Sequence, residues 1–145
     1  MKPEQLVPDL KLCQRLQELG WPQKDSCFWW ARVEGSYGAD GENGLELIWA
    51  ECEGDCFNWR YKIKSYELAA PTVSELWEAL PERITVDHKF YYFHVVGKMH
   101  GYFNLDRTEF DSDGLFSVGK KRVNAFAKCL IWLCENGHLD LKDLK

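Results

Sequence analysis

The sequence predicts an α+β fold: an antiparallel curved sheet of about five to six strands, with three helices packed mainly on one face. Three observations predict it. Segments near the start, middle and end of the chain repeat apolar residues every three or four positions, the period of a helix face. Between them lie short runs rich in aromatic and β-branched residues, several alternating apolar with polar, the period of a strand. Turn signals join these runs without the helix-length crossovers that a parallel, doubly wound sheet requires. The 145 residues fit a single domain, 1–145, which at this length buries roughly two-thirds of its unfolded surface and needs no staples.

The first helix is expected from Pro8 or Asp9 to Leu19. Leu10, Leu12, Cys13, Leu16 and Leu19 mark its inner side, and Gly20 ends it. A short aromatic strand follows from Cys27 to Val33, in which Phe28, Trp29 and Trp30 are consecutive. Consecutive aromatics mean either that both faces are covered or that one is presented for contact. Glu34 to Gly44 holds four glycines and no large aliphatic side chain, so it is a loop. Its glycine spacing matches neither a Walker A loop nor a dinucleotide fingerprint.

Leu45 to Cys52 and Phe57 to Lys64 read as two strands joined in a hairpin by the turn Cys52-Glu53-Gly54-Asp55-Cys56. In the second, Phe57, Trp59, Tyr61 and Ile63 alternate with Asn58, Arg60, Lys62 and Lys64, so one side faces a core and the other water. Ser65 to Leu80 leads into a helix. Thr72 and Glu75 have the spacing of a capping box, Val73, Leu76, Trp77 and Leu80 supply an inner face, and Pro81 stops it.

Arg83 to Val86, a turn at Asp87-His88, and Lys89 to Lys98 form the next hairpin, and Met99 to Leu105 continues the sheet after a turn near Gly97. Asp106 to Gly114 is an acidic loop. It imitates the first half of a calcium loop, but the closing carboxylate would fall at Lys120, so the pattern fails. The chain is organised around its last helical stretch, Gly119 to Gly137. Val123, Phe126, Ala127, Leu130, Ile131, Leu133 and Cys134 form a broad apolar stripe there, and Trp132 lies off it. That stretch is too short and too flanked by charge to span a bilayer, so no membrane partner is expected.

A net charge of −5 argues against a general nucleic-acid binder, which needs a basic face. The start of the chain has no apolar signal segment, so the expected compartment is the reducing cytoplasm and the six cysteines are expected to be free thiols. Cys52 and Cys56 are close enough to be half of a zinc site or to close a short disulfide loop. The second ligand pair of a zinc site is missing, because His88, His94, His100 and His138 are scattered. No cofactor and no assigned metal follow from these residues.

Three pieces carry a family resemblance. They are Leu16-Gln-Glu-Leu-Gly20-Trp-Pro22, Ala70-Pro-Thr-Val-Ser-Glu-Leu-Trp-Glu-Ala-Leu-Pro81, and Ala125-Phe-Ala-Lys-Cys-Leu-Ile-Trp-Leu-Cys-Glu-Asn-Gly137. In these the chain resembles a group of small proteins common in bacterial genomes and their prophages. The resemblance implies a phage-related cytoplasmic setting and carries no residue roles with it.

Two functions are expected from different classes. The first is a protein-interaction or structural module without catalysis, binding a protein partner or itself, because the chain has no paired acid and base and is rich in Trp and Tyr. Trp29, Trp49, Trp59 and Trp132 are its candidate contact residues. The alternative is a metal-assisted hydrolase using Cys52 and Cys56 with His94 or His100. An aromatic patch on the exposed face of the sheet would favour the first.

Overall fold

A computed structural model describes residues 3–34, 45–49, 62–96, 99–103, 116–118 and 121–143. The described residues form three α-helices, α1 (Leu10–Leu19), α2 (Val73–Ala79) and α3 (Arg122–Glu135). Their strands are β1 (Phe28–Glu34), β2 (Leu45–Trp49), β3 (Lys62–Ala70), β4 (Arg83–Val86), β5 (Lys89–Val96), β6 (Met99–Phe103) and β7 (Phe116–Val118). The fold is α+β with antiparallel pairing, as the sequence predicts.

The described strands do not pair into the single curved sheet that was expected. Among the described residues they form two sheets, ordered β2-β1-β3 and β4-β5-β6-β7. Of the expected hairpin between Leu45–Cys52 and Phe57–Lys64, residues 50–61 with the turn Cys52–Cys56 lie outside the described residues, and the described parts, β2 and β3, lie on opposite sides of β1 rather than side by side. Trp30 pairs with Leu47 on one side and with Leu68 on the other. The reason lies in residues 65–70. Tyr66 and Leu68 alternate with Ser65 and Glu67 and continue β3 along the whole of β1, ending where Phe28 meets Ala70. Pro71 and the capped start of α2 then take the chain out of this sheet before β4 begins. The short strand β7, which runs beside β6, was not anticipated.

Two apolar clusters pack the described chain; α1 serves both, and the first sheet also reaches the larger one through Ala69 and Trp29. Val7, Leu10 and Cys13 pack with Phe28, Leu45, Leu68 and Ala70 of the first sheet. One turn further on, Leu16 joins the larger core with Leu76, Ile84, Tyr91, Tyr102, Phe126 and Leu130. A buried aliphatic or aromatic side chain in such a core contributes about 1.5–3 kcal/mol relative to exposure.

The helix ends follow local chemistry. Gly20 has φ 107°, and its N–H and that of Trp21 close the last turn of α1 onto the carbonyls of Gln17 and Leu16. A Cβ at Gly20 would stand 2.9 Å from Lys142 Cγ, so glycine is required here by conformation and by space. At α2 the capping box is present: the Glu75 N–H donates to Thr72 Oγ1, and the Thr72 N–H donates back to the Glu75 carboxylate. Asp9 does not cap its own helix. Its carboxylate accepts from Lys121 Nζ at 2.7 Å and Asn124 Nδ2 at 2.8 Å, while its N–H donates to Asn124 Oδ1. The starts of α1 and α3 are thereby tied together.

Candidate functional site

The second sheet separates its two faces by the parity of β5, Lys-Phe-Tyr-Tyr-Phe-His-Val-Val. Tyr91 and Phe93 face the helices. Tyr91 is buried, and Phe93 sits edge-on between Tyr102 at 5.3 Å and Phe126 at 5.4 Å. Tyr102 beneath them donates its hydroxyl to the Pro81 carbonyl at 2.7 Å. The residues between, Phe90, Tyr92 and His94, fall on the other face.

That other face is open and aromatic. Phe90 is 49% exposed, Tyr92 is half-buried and His94 is exposed. Their partners across the ladder on β4 are Thr85, opposite Phe90, and Arg83, opposite Tyr92, and both are exposed. The Arg83 guanidinium lies 4.6 Å from the centre of the Phe90 ring, a cation–π contact that holds both groups in the plane of the face. Gly101 of β6 pairs with His94. A solvated sheet face ordinarily carries polar residues at these alternate positions. This one carries a phenylalanine, a tyrosine and an imidazole in a row along a central strand.

The tryptophans named from sequence divide. Trp49, at the end of β2, is 38% exposed and stacks on Phe28 with ring centres 5.9 Å apart. Trp29 is half-buried against the larger core, and its indole N–H is used up on the Ser26 carbonyl. Trp132 is half-buried and stacks on His138 at 5.4 Å. Trp59 lies outside the described residues. Trp77, expected on the inner face of α2, is 51% exposed. The helix is only seven residues long, and Leu76 takes its buried position while Trp77 leans its ring edge on Phe93 and Phe126 at the border of the core.

The residues of the metal-assisted alternative are not brought together where they are described. Cys52 and Cys56 lie outside the described residues. His94 pairs with Gly101 and His100 with Val95, so the two histidines are not cross-strand partners. Among the described residues no three His, Cys, Asp or Glu side chains are grouped to hold an ion. Three of the described thiols, Cys13, Cys129 and Cys134, are poor nucleophiles. Burial pushes Cys13 and Cys129 up to about 12 and Cys134 up to about 11, which leaves them protonated at neutral pH. Glu75 lines a cavity of about 290 Å³ with Glu78, Asp25 and Ser26. Desolvation raises its pKa, but its carboxylate already accepts the backbone N–H groups of Thr72 and Cys27, which is a structural assignment.

A second feature lies where α2 and α3 begin. A groove of about 710 Å³ runs between them and the short 3-10 turn Pro3–Gln5. Its lining includes Leu6, Val73 and Val123 together with Lys121 and Arg122. Among the described residues no helix is long and apolar enough to cross a membrane.

No protein-family model, no curated protein and no solved structure matches this chain.

Proposed function

We propose that this protein is an interaction module without catalysis, and that the open face of the second sheet, centred on Phe90, Tyr92 and Arg83, contacts a protein partner or a second copy. The observation that supports this most is Phe90, a phenylalanine half exposed on a sheet face and held in place by Arg83. Aromatic and arginine side chains that are fixed before contact lose little freedom on binding, which is why they are enriched among the residues that dominate interfaces. Trp49 and Trp77 extend the supply of exposed aromatic surface on other elements. The segments that resemble prophage-associated bacterial proteins support the cytoplasm of a phage-carrying bacterium as the setting.

The test is a photo-crosslinking side chain placed at position 90 of the full chain in bacterial cytoplasm, with the same group at exposed position 18 of α1 as control. A discrete protein adduct formed at 90 and not at 18, and lost on Arg83→Glu, is the expected outcome. An adduct with a second copy of the chain counts as support. Indistinguishable labelling at the two positions, or an adduct indifferent to Arg83→Glu, overturns the reading.

A further inference from the structure

We infer that the groove between the starts of α2 and α3 is a second docking site, and that it takes an acidic segment of a partner protein with an aliphatic side chain seated on the groove floor. The inference does not rest on the sheet face, which lies on other elements. The floor is aliphatic: Val123 is fully buried, and Leu6 and Val73 are half-buried. Thr72 and Ser74 from the start of α2 and Lys121 and Arg122 from the start of α3 complete the lining, with no carboxylate among the described lining residues.

Charge identifies the occupant. The chain carries a net −5, with 23 acidic residues against 18 basic. A groove of this size whose described lining holds two cations and no acid therefore runs against the composition of the molecule. Lys121 is partly committed, with its ammonium 2.7 Å from the Asp9 carboxylate. Arg122 is exposed and has no ion-pair partner among the described residues. A guanidinium at the edge of an aliphatic floor suits a carboxylate bonded in a two-pronged fork beside an apolar side chain.

The same features disfavour other occupants. Bases stack on aromatic platforms and phosphates need a track of cations, and this groove offers an aliphatic floor and two cations. Anionic lipid surfaces are held by clusters of roughly four to eight Lys and Arg. The volume, about 710 Å³, is that of a site for a few side chains rather than for a flat surface.

The experiment is an amide chemical-shift titration of the full chain with the peptide acetyl-Asp-Leu-Glu-Leu-Asp-amide. Saturable shifts are expected at the amides of Val73, Ser74, Arg122 and Val123. Arg122→Glu should weaken binding by about tenfold or more, by placing like charges together, while Arg122→Lys should weaken it less, keeping the charge but losing the two-pronged fork. The unliganded spectra of both variants report whether they fold, and the residue is exposed. The inference is overturned if the uncharged acetyl-Asn-Leu-Gln-Leu-Asn-amide binds equally well, or if millimolar acidic peptide shifts no groove amide. It is also overturned if a single-stranded oligothymidylate shifts these amides and the peptide does not. None of these outcomes bears on the adduct at position 90, so the two readings fail separately.

Discussion

Asp9 and Glu75 are both acidic residues beside helix starts, and their surroundings give them opposite dependence on pH. Hydrogen bonds from Lys121 hold the Asp9 carboxyl below its ordinary 3.8, with Asn124 adding to the effect against a partial desolvation. A carboxyl depressed in the folded state stabilises it fully above the unfolded value of 3.8, and that contribution is lost as pH falls through the lower folded value. Asp9→Asn should therefore cost about 0.5–1.5 kcal/mol at neutral pH, toward the low end because the carboxylate is largely exposed. The difference from the parent should close below pH 3.8. Glu75 is the reverse case, since desolvation raises its carboxyl above 4.5. A raised group contributes stability below its unfolded value, and that contribution is lost as pH rises through the folded value. Glu75→Gln keeps the acceptor that the capping box needs. It should be neutral or more stable by a few tenths of a kcal/mol at neutral pH, with the gain vanishing below pH 4.5. Urea unfolding of both variants across this range reads the two opposite slopes.

At the scale of elements, the hairpin between β4 and β5 turns on two residues, Asp87 with φ 51° and His88 with φ 65°. Two left-handed residues in a two-residue loop make the turn whose twist matches the flanking strands, and glycine or asparagine suit it better than histidine. His88→Gly should stabilise the protein by about 0.5–1 kcal/mol by relieving a Cβ clash. His88→Val should destabilise it, and shifts in the urea midpoint check both. This turn was legible in the sequence, as were the capping box at Thr72 and Glu75 and the glycine ends of α1 and α3, because each is decided within a few residues. The division into two sheets was not legible, because pairing partners are chosen across the chain. Residues 65–70 precede Ala-Pro-Thr and read as the approach to a helix, whereas their alternation completes β3. The open aromatic face was hidden for a related reason. In a strand as aromatic as β5, either parity can face the core, and only the packing of Tyr91 and Phe93 reveals that Phe90 and Tyr92 do not. Two of the tryptophans expected to make contacts, Trp29 and Trp132, are partly consumed by packing, which is where large apolar area is most often used.

For the molecule as a whole, α1, with Ala69 and Trp29 of the first sheet, joins the two sheets into one unit. Leu10 and Cys13 belong to the packing of the first sheet, and Leu16 to that of the second, on successive turns of one helix. Two bonds from Asp9 to Lys121 and Asn124, and the pair between Arg15 and Glu135 at 3.0 Å, tie both ends of α1 to α3. Losing the helix would strip both cores at once, so local opening of one sheet without the other is disfavoured. Hydrogen exchange should therefore give the most protected amides of β1 and β6 the same opening free energy, equal to that from urea unfolding. Leu16→Ala removes a fully buried side chain at the second core and should cost about 2–5 kcal/mol. If the cores are coupled, that loss appears equally in β1, which meets the Leu16 cluster only through the half-buried Trp29, and in β6. A loss confined to β6, with β1 protection unchanged, would mean that the first sheet folds on its own and that α1 only lies beside it.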